Sequence, residues 1–488
     1  MNRLYYGDNL DVMQRYIKDE TIDLCYIDPP FNSKRNYNQI YNNIGNEDRA
    51  QAQAFVDTWV WDDIATEGLE TILGNAEGRY AARTIDLIRG LRPVLRQGSL
   101  LAYLVSMALR ATEIHRVLKP TGTFYLHCDP TASHYLKIML DTIFQGNFRN
   151  EIIWCYAGGG IPKRDLPRKH DVILRYTKGD DYTYNPVYRP YTPGTVQRGR
   201  TAVKGKYFEK GLRAEGTPVN DWWTDVPKIT SPTDPEKLGY PTQKPEALLD
   251  RIISISTNEG DTVLDAYCGC GTTIDVAKRL NRSWIGIDIT YQSISVILTR
   301  LEAKYGAEVL ETITLDGMPR DMESVEALAH KRDDRLRKEF EKWALLTFTN
   351  NRAIVNDKKG GDEGIDGTAY FMTGKSDSAK IVFQVKSGTV GRGEISKFNN
   401  DRAREGAELG VFLTLRDVTK GMRNEAHATG VYMHPLMQRN FQRVEIVTIA
   451  EIVEQGKRLD IPMSLEVLKR AQAAAQSDTE QLRLMDDE

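Results

Sequence analysis

The strongest chemical signal in the sequence is the tetrapeptide Asp28-Pro29-Pro30-Phe31, which directly follows the apolar run Ile22–Ile27. That run has the length and residue types of a buried strand, and the two prolines prevent the strand from continuing. The Asp28 carboxylate and the carbonyl of the Asp28–Pro29 peptide can both accept hydrogen bonds from one NH2 group, and Phe31 offers a face for a planar base. The tetrapeptide therefore suits an exocyclic amine, although a strand-ending Asp-Pro turn fits the same four residues.

A second stretch, residues 261–273, has the pattern of a nucleotide-binding turn. It reads as a short apolar strand, the turn Gly269-Cys270-Gly271 and the start of a helix predicted over residues 273–280. The glycines allow a ligand to approach the backbone, and the amides at the helix start favour a carboxylate or phosphate. Residues 284–288 form a further predicted strand that ends in Asp288. An acid at that place holds ribose hydroxyls in nucleotide-binding folds.

Together the two stretches resemble the amino-methyltransferases of DNA, in their circularly permuted β group, in which an Asp-Pro-Pro-aromatic motif precedes the S-adenosylmethionine loop. The resemblance runs from about residue 3 to residue 303. Further matches in the same order are Tyr6-Gly7-Asp8-Asn9, Leu126-His127-Cys128-Asp129 and Tyr240-Pro241-Thr242-Gln243-Lys244-Pro245. The resemblance implies a Rossmann-like, doubly wound α/β domain that methylates a base amine. Ala266 and Tyr267 replace the usual proline and phenylalanine of the loop, and Tyr267 can still cover the cofactor.

The resemblance also implies roles for individual residues. Asp28, Pro29, Pro30 and Phe31 are the expected catalytic residues, and His127 is expected to be mainly structural. The expected S-adenosylmethionine-binding residues are Asp8, Thr242, Lys244, Asp265, Tyr267, Cys268, Gly269, Gly271, Thr272 and Asp288. Asp8 would contact the adenosine end, and it fits a helix N-cap equally well. Thr242 and Lys244 would meet the methionine carboxylate. Adenine is favoured over cytosine because Asp at position 28 is more typical of adenine enzymes.

The C-terminal part carries a second set of polar residues at strand ends. Asp366 appears as a strand begins, and the next predicted strand, residues 380–386, contains Gln384 and Lys386. Alternation along that strand puts Gln384 and Lys386 on one face, beside Asp366 on the neighbouring strand. A carboxylate and an amide oxygen can hold Mg2+, and Lys386 can orient or deprotonate an attacking water.

This pattern resembles the restriction-endonuclease-like α/β fold, PD-(D/E)xK, in its Mrr-type branch. The resemblance covers roughly residues 335–435, and Glu341 on the preceding helix matches the helical acid of that family. Gln384 replaces the more common glutamate, as it does in the Mrr-type branch. The resemblance implies a Mg2+-dependent DNA endonuclease. A catalytically inactive DNA-binding module and an unrelated α/β domain remain as alternatives.

The length of 488 residues predicts two or three domains. We expect a methyltransferase domain over residues 1–305, with a target recognition region at about 157–235, and a linker over 306–335. An endonuclease-like domain is expected over 336–460, followed by a helical and acidic tail over 461–488.

Charge is unevenly distributed along the chain. The net charge is −3, yet residues 161–215 contain thirteen Lys and Arg against six Asp and Glu, a local balance of +7. Basic residues in such a block hold phosphates while polar or aromatic side chains read base edges. We therefore expect double-stranded DNA to lie against this block, with a solvated loop insertion as the alternative.

Other sequence features limit the classes of protein that fit. No apolar run approaches the ~20 residues that span a bilayer, and residues 1–6 enter a strand directly, so neither a membrane partner nor a signal peptide is expected. The five cysteines show no zinc-like spacing, because Cys268 and Cys270 lie inside the glycine turn. A reducing cytoplasm fits this usage. A homodimer or additional restriction subunits remain open.

The leading hypothesis is a bifunctional modification and restriction enzyme. One alternative is an N4-cytosine methyltransferase whose C-terminal domain only binds DNA or a partner. The other is a modification-dependent nuclease whose N-terminal half has become a reader. A reader would not need Asp28, so the intact tetrapeptide disfavours that alternative.

Overall fold

In the computed structural model, the described parts of the chain form two compact units. The described residues are 2–30, 59, 61–158, 162–199, 212–231, 234–238, 240, 242–319, 321–329, 334–350, 352–356, 364–374 and 378–461. The first unit contains the described residues up to Ile289 together with Thr312–Asp316, and the second contains Thr290–Glu311 and those from Gly317 onward. Phe31 and nearly all of the predicted tail lie outside the described residues.

The first unit alternates strands and helices. Its strands are β1 (Asn2–Tyr6), β2 (Ile22–Ile27), β3 (Leu118–Cys128), β4 (Phe148–Cys155), β5 (His170–Thr177), β6 (Tyr188–Arg189), β7 (Thr217–Pro218), β8 (Trp222–Trp223), β9 (Thr262–Asp265), β10 (Ser283–Asp288) and β11 (Ile313–Asp316). Its helices are α1 (Asn9–Tyr16), α2 (Asp63–Gly74), α3 (Ala82–Leu95), α4 (Ser99–Val117), α5 (Ser133–Ile143), α6 (Pro193–Arg198), α7 (Glu246–Ser256) and α8 (Thr272–Arg279).

The main sheet of this unit has the order β11-β1-β10-β9-β2-β3-β5-β4-β8. The strands from β11 to β3 are parallel, and β5 runs antiparallel to both of its neighbours. Parallel strands need their two faces covered, and the core accordingly contains β2 and the apolar side of α4. This architecture confirms the predicted doubly wound α/β class.

The second unit contains a smaller mixed sheet with the order β12-β13-β14-β15-β18. Its strands are β12 (Ile354–Val355), β13 (Gly367–Met372), β14 (Ser378–Lys386), β15 (Leu409–Thr414) and β18 (Val444–Thr448), and β16 (Val431–His434) and β17 (Arg439–Gln442) form a separate hairpin. Its helices are α9 (Tyr291–Tyr305), α10 (Glu308–Glu311), α11 (Met322–Ala329), α12 (Asp334–Phe348), α13 (Arg392–Arg404), α14 (Lys420–Ala428) and α15 (Ile449–Glu454). None of the described helices is long and apolar enough to cross a membrane.

Residues 306–335, where the sequence predicts a linker, contain regular structure in their described part. α10, β11 and α11 lie within this range. β11 extends the main sheet of the first unit, where Ile313 and Leu315 pair in register with Asn2 and Leu4 of β1. A four-residue strand in a charged stretch shows too little alternation to be recognised from the sequence. The position of β11 is set instead by its pairing with β1, near the start of the chain.

Candidate active sites

Asp28 lies directly after β2, at the carboxyl end of that strand. β2 pairs in parallel with β9 on one side and with β3 on the other. In the strand order β10-β9-β2-β3, the chain passes from β9 outward to β10 and from β2 outward to β3 in the opposite direction. The winding of the sheet therefore reverses between β9 and β2. Open α/β sheets bind ligands in the crevice at such a reversal. Asp28 and the glycine turn after β9 therefore lie at the same crevice.

The Asp28 carboxylate forms an ion pair with Lys244, which is 216 residues further along the chain. Their side chains are only 16% and 10% exposed, so the pair is largely shielded from solvent. Lys244 Nζ also donates to the carbonyl of Thr242 at 3.2 Å, and Thr242 has a φ of +61°. Lys244 thus supplies the countercharge for Asp28, a contact that the sequence analysis did not anticipate.

A buried polar chain lies behind the Asp-Pro-Pro segment. The Tyr26 hydroxyl contacts His127 Nδ1 at 2.9 Å, and His127 Nε2 lies 3.3 Å from Asp171 Oδ2. The hydroxyl of Tyr156 donates to Asp171 at 3.0 Å. Burial would raise the pKa of Asp171, but its hydrogen bond with His127 holds that pKa well below its usual range. His127 is fully buried, so these contacts fit a structural role.

Trp59 contacts Pro30 of the predicted catalytic tetrapeptide. Its indole Nε1 donates to the Pro30 carbonyl at 3.1 Å, and its ring packs against Tyr103 with centroids 5.4 Å apart. The sequence analysis did not include Trp59 among the site residues, because nothing in the local pattern links it to Pro30. Phe31, which follows Pro30, lies outside the described residues.

The glycine turn after β9 has the backbone geometry that its sequence predicts. Gly269 and Gly271 have φ values of +47° and +75°, which favour glycine, and α8 begins directly after Gly271. The Gly269 N–H donates to Asp288 Oδ2 at 2.9 Å, so the acid at the end of β10 holds the turn. A Cβ on Gly269 would lie 3.2 Å from the Tyr240 ring, so a side chain at this position would crowd the turn.

The remaining loop residues that the resemblance implicated are buried beside this turn. Cys268 and Thr272 are both less than a tenth exposed, and burial raises the pKa of the Cys268 thiol well above its ordinary value. Such a thiol stays protonated and is a poor metal ligand. Tyr267 is partly buried, and its backbone N–H donates to Asp265 Oδ1 at 3.0 Å.

Asp265 is a buried carboxyl group in this crevice with a strongly raised pKa. Burial raises its pKa from 3.8 to about 7, against opposing hydrogen bonds from Thr273 and the Tyr267 backbone. The charges of Asp28 and Asp288 raise it further. The folded chain therefore retains a proton that the unfolded chain has released, and the contribution of Asp265 to stability falls as pH rises from about 4 to 7.

We expect Asp265→Asn to remove this pH dependence. At pH 3 the variant and the wild type should unfold at nearly the same temperature, because Asp265 is then protonated in both the folded and the unfolded chain. At pH 8 the variant should be more stable by roughly 2–4 kcal/mol. Thermal unfolding at both pH values measures this difference, with the exposed Asp86→Asn as control. A variant that is equally destabilised at both pH values would contradict the expectation.

Arg110 of α4 organises the turn between β1 and α1. Its guanidinium donates to Asp8 Oδ2 at 2.8 Å, to Asn9 Oδ1 at 2.6 Å and to Ser106 Oγ at 2.8 Å. Asp8 also caps α1 through the Leu10 N–H, as expected for a helix N-cap. Asp8 could be singled out from the sequence but Arg110 could not, because Asp8 and Asn9 lie about a hundred residues before Arg110.

We expect Arg110→Met to lower the free energy of unfolding by about 2–3 kcal/mol, because it removes charge-assisted hydrogen bonds from a side chain that is only 14% exposed. Arg89→Met is the matched control, since Arg89 forms an ion pair with Asp86 on the surface, with both side chains more than half exposed. We expect the control to change stability by less than about 0.5 kcal/mol. Chemical denaturation of both variants measures the difference, and equal losses would contradict the role of Arg110.

The described part of the predicted target recognition region, at about residues 157–235, combines cations with aromatic rings. Arg189 lies over the ring of Trp222, with 5.6 Å to its centroid, and Trp222 is 50% exposed. Lys228 lies over the ring of Tyr156 at 4.8 Å. Paired cations and exposed aromatic rings suit contacts with phosphates and bases.

In the second unit, the side chains of Asp366 and Glu341 line one small cavity. The other lining residues are Lys338, Lys342, Val355 and Asn356. Asp366 lies just before β13, and its Oδ2 accepts a hydrogen bond from the Val385 N–H of β14 at 2.7 Å. In the described parts of the chain, no group of three or more His, Cys, Asp and Glu side chains is arranged to hold a metal ion.

Gln384 and Lys386 lie on the other face of β14 from Glu341. Val382 lies two residues before Gln384 and therefore on the same face of β14. Val382 packs in a core with Phe398 of α13, so α13 covers this face. Glu341 belongs to α12, which covers the opposite face, where Leu345 contacts Gly367. Gln384 is buried, and its Nε2 donates to the Gly364 carbonyl at 2.5 Å. The structure therefore brings Asp366 close to both groups and leaves Glu341 apart from Gln384 and Lys386.

Comparisons with known proteins define the family. The DNA methylase model N6_N4_Mtase matches residues 22–298, which is more than half of the chain. The chain therefore belongs to the DNA methylase family. The restriction endonuclease model Mrr_cat matches residues 336–448, so this methylase carries an Mrr-type restriction endonuclease domain.

The relatives include several named methyltransferases. Type II methyltransferase M.HpaI of Haemophilus parainfluenzae is 36% identical over 40% of this chain and 57% of its own. Type II methyltransferase M2.LlaDCHI of Lactococcus lactis subsp. cremoris is 43% identical over 62% of this chain and 91% of its own. DNA adenine methyltransferase YhdJ of Escherichia coli (strain K12) is 27% identical over 64% of this chain and 86% of its own. The chain thus spans little more than half the length of M.HpaI.

Proposed function

We propose that this protein transfers a methyl group from S-adenosylmethionine to the N6 amine of adenine in double-stranded DNA. The observation that carries the proposal is the position of Asp28, at the crevice where the glycine turn of β9 also ends. A base amine held by Asp28 would then lie beside a cofactor held by Gly269 and Gly271. One relative, YhdJ of Escherichia coli, is itself named as a DNA adenine methyltransferase.

The residues of the crevice fit S-adenosylmethionine. The open glycine turn leads into α8, whose first amides favour a carboxylate, and Asp288 ends β10 where ribose hydroxyls are held in related folds. Once the Lys244 ammonium group leaves its ion pair with Asp28, it can bind the methionine carboxylate. The bound cofactor would supply an electrophilic methyl group on a sulfonium.

The chain itself orients the base. The Asp28 carboxylate and the Asp28–Pro29 carbonyl accept hydrogen bonds from the amine and direct its lone pair toward the methyl group, while Pro29 adds no competing N–H. Reaching this position requires the adenine to leave the DNA stack. Phe31 would stack on the extruded base, and the target recognition region with Arg189 and Trp222 would hold the duplex.

Analysis of the methylated nucleoside tests the adenine assignment. Purified protein, S-adenosylmethionine and unmethylated DNA should yield N6-methyladenine after enzymatic digestion, detected by mass spectrometry. N4-methylcytosine in place of N6-methyladenine would overturn the adenine assignment and keep the methyltransferase proposal.

We infer a second activity, Mg2+-dependent cleavage of DNA, from the placement of Asp366. Asp366 lies next to the end of β14 that carries Gln384 and Lys386, and it shares a cavity with Glu341. The Asp366 carboxylate and the Gln384 amide oxygen are ligands that Mg2+ prefers, so these two residues fit the ion. Mg2+, when bound there, would polarise the scissile phosphate. Lys386 would orient or deprotonate the attacking water.

A further inference from the structure

Asp401 carries a buried carboxylate that has no role in either proposed activity. It lies on α13 and is 4% exposed. Its Oδ1 accepts a hydrogen bond from Arg404 at 2.9 Å, but its Oδ2 has no hydrogen-bond partner among the described residues. Leaving a carboxylate oxygen buried without a donor is costly, so such an atom calls for a ligand.

Asp401 lies next to the residues of the nuclease site. A Cβ on Gly364 would be 3.1 Å from Asp401 Oδ2 and 3.0 Å from Gln384 Nε2, so both side chains end beside Gly364. Gly364 lies two residues before Asp366. The antiparallel register pairs Gly367 with Phe383, and its continuation by one residue places Asp366 opposite Gln384. Asp366, Gln384 and Asp401 therefore converge on one short backbone segment.

We propose that Asp401 is a further ligand of the divalent metal ion in the nuclease site and supplies the negative charge that the neutral Gln384 lacks. The proposal rests on the proposed nuclease function. The affinity of an oxygen site for a divalent cation depends on the number of charged ligands. Glu341 lies on the other face of the sheet, so Asp401 is the second carboxylate on the face that carries Gln384 and Lys386.

The test measures metal binding by the full-length protein without DNA. Calorimetric titration with Mg2+ is compared for the wild type, Asp401→Asn, Asp366→Asn and Arg404→Gln. We expect Asp401→Asn and Asp366→Asn each to weaken binding at least tenfold. Arg404→Gln, which removes only the Oδ1 partner, should not weaken binding. Binding by Asp401→Asn at the wild-type affinity would overturn the proposal.

Thermal unfolding separates a ligand from a structural acid. In EDTA, Asp401→Asn should unfold at the wild-type temperature or higher, because it removes a buried charge without a full set of donors. In Mg2+ it should lose the rise in unfolding temperature that the wild type shows. A variant destabilised equally in EDTA and Mg2+ would show a structural role and overturn the proposal.

The Asp366→Asn variant distinguishes a failure of the role of Asp401 from a failure of the nuclease function. If Mg2+ binding is lost in Asp366→Asn and kept in Asp401→Asn, the nuclease site stands and Asp401 is not a ligand. If the wild type neither binds Mg2+ nor cleaves DNA, both the nuclease function and the role of Asp401 are wrong.

Discussion

Asp28→Ala is expected to lower the rate of methyl transfer at least about 100-fold, because the variant loses the acceptor that orients the base amine. Cofactor affinity should stay the same or rise, since Lys244 is released from its ion pair with Asp28. Transfer of a tritiated methyl group to DNA measures the rate, and equilibrium binding of S-adenosylmethionine measures the affinity. The two measurements separate the chemical step from cofactor binding.

The matched control for Asp28→Ala is Asp86→Ala, a change of the same type on the exposed surface of α3. The control should transfer methyl groups at the wild-type rate. Transfer by Asp28→Ala within threefold of the wild type would contradict the role of Asp28. A loss of both transfer and cofactor binding would instead point to a disturbed crevice, and circular dichroism would show whether the fold is retained.

Asp366→Ala and Lys386→Ala are expected to lower Mg2+-dependent strand cleavage at least about 100-fold and to leave methyl transfer within twofold of the wild type. The physical reason is that metal ligands and the water-positioning group act only on the phosphate reaction. Strand breaks are followed by gel electrophoresis, and methyl transfer is followed on the same samples. The paired measurement asks whether the two sites work independently.

Lys380→Ala provides the control for Lys386→Ala, because Lys380 lies on the same strand and pairs with Glu405 at 2.6 Å. We expect it to keep both activities. Unchanged cleavage in Asp366→Ala would contradict the nuclease assignment and favour a domain that only binds DNA or a partner.

Local features of the site could be predicted from the sequence. The strand before Asp28, the glycine turn at Gly269 and the helix Thr272–Arg279 each depend on short patterns of apolar, glycine and proline residues. The doubly wound α/β class followed from the resemblance and from the alternation of strands and helices. These features are local because hydrogen bonding within a turn or helix depends on neighbouring residues.

Contacts between distant residues could not be predicted in the same way. Some contacts join residues that no repeating sequence pattern links. They are the Lys244–Asp28 ion pair, the Arg110–Asp8 ion pair and the Trp59–Pro30 hydrogen bond. Likewise, β14 alternation correctly put Gln384 and Lys386 on one face, but it said nothing about which helix covers that face. The packing of α12 and α13 on opposite faces, which separates Glu341 from Gln384, emerges only from the tertiary fold.

The most direct test of the central claim is methyl transfer by the wild-type protein. Unmethylated DNA of random sequence is incubated with the protein and S-adenosyl-[methyl-3H]methionine, and label retained in the DNA is counted. We predict label in the DNA from the wild type and none above background from Asp28→Ala. No label from the wild type on any DNA would contradict the central claim.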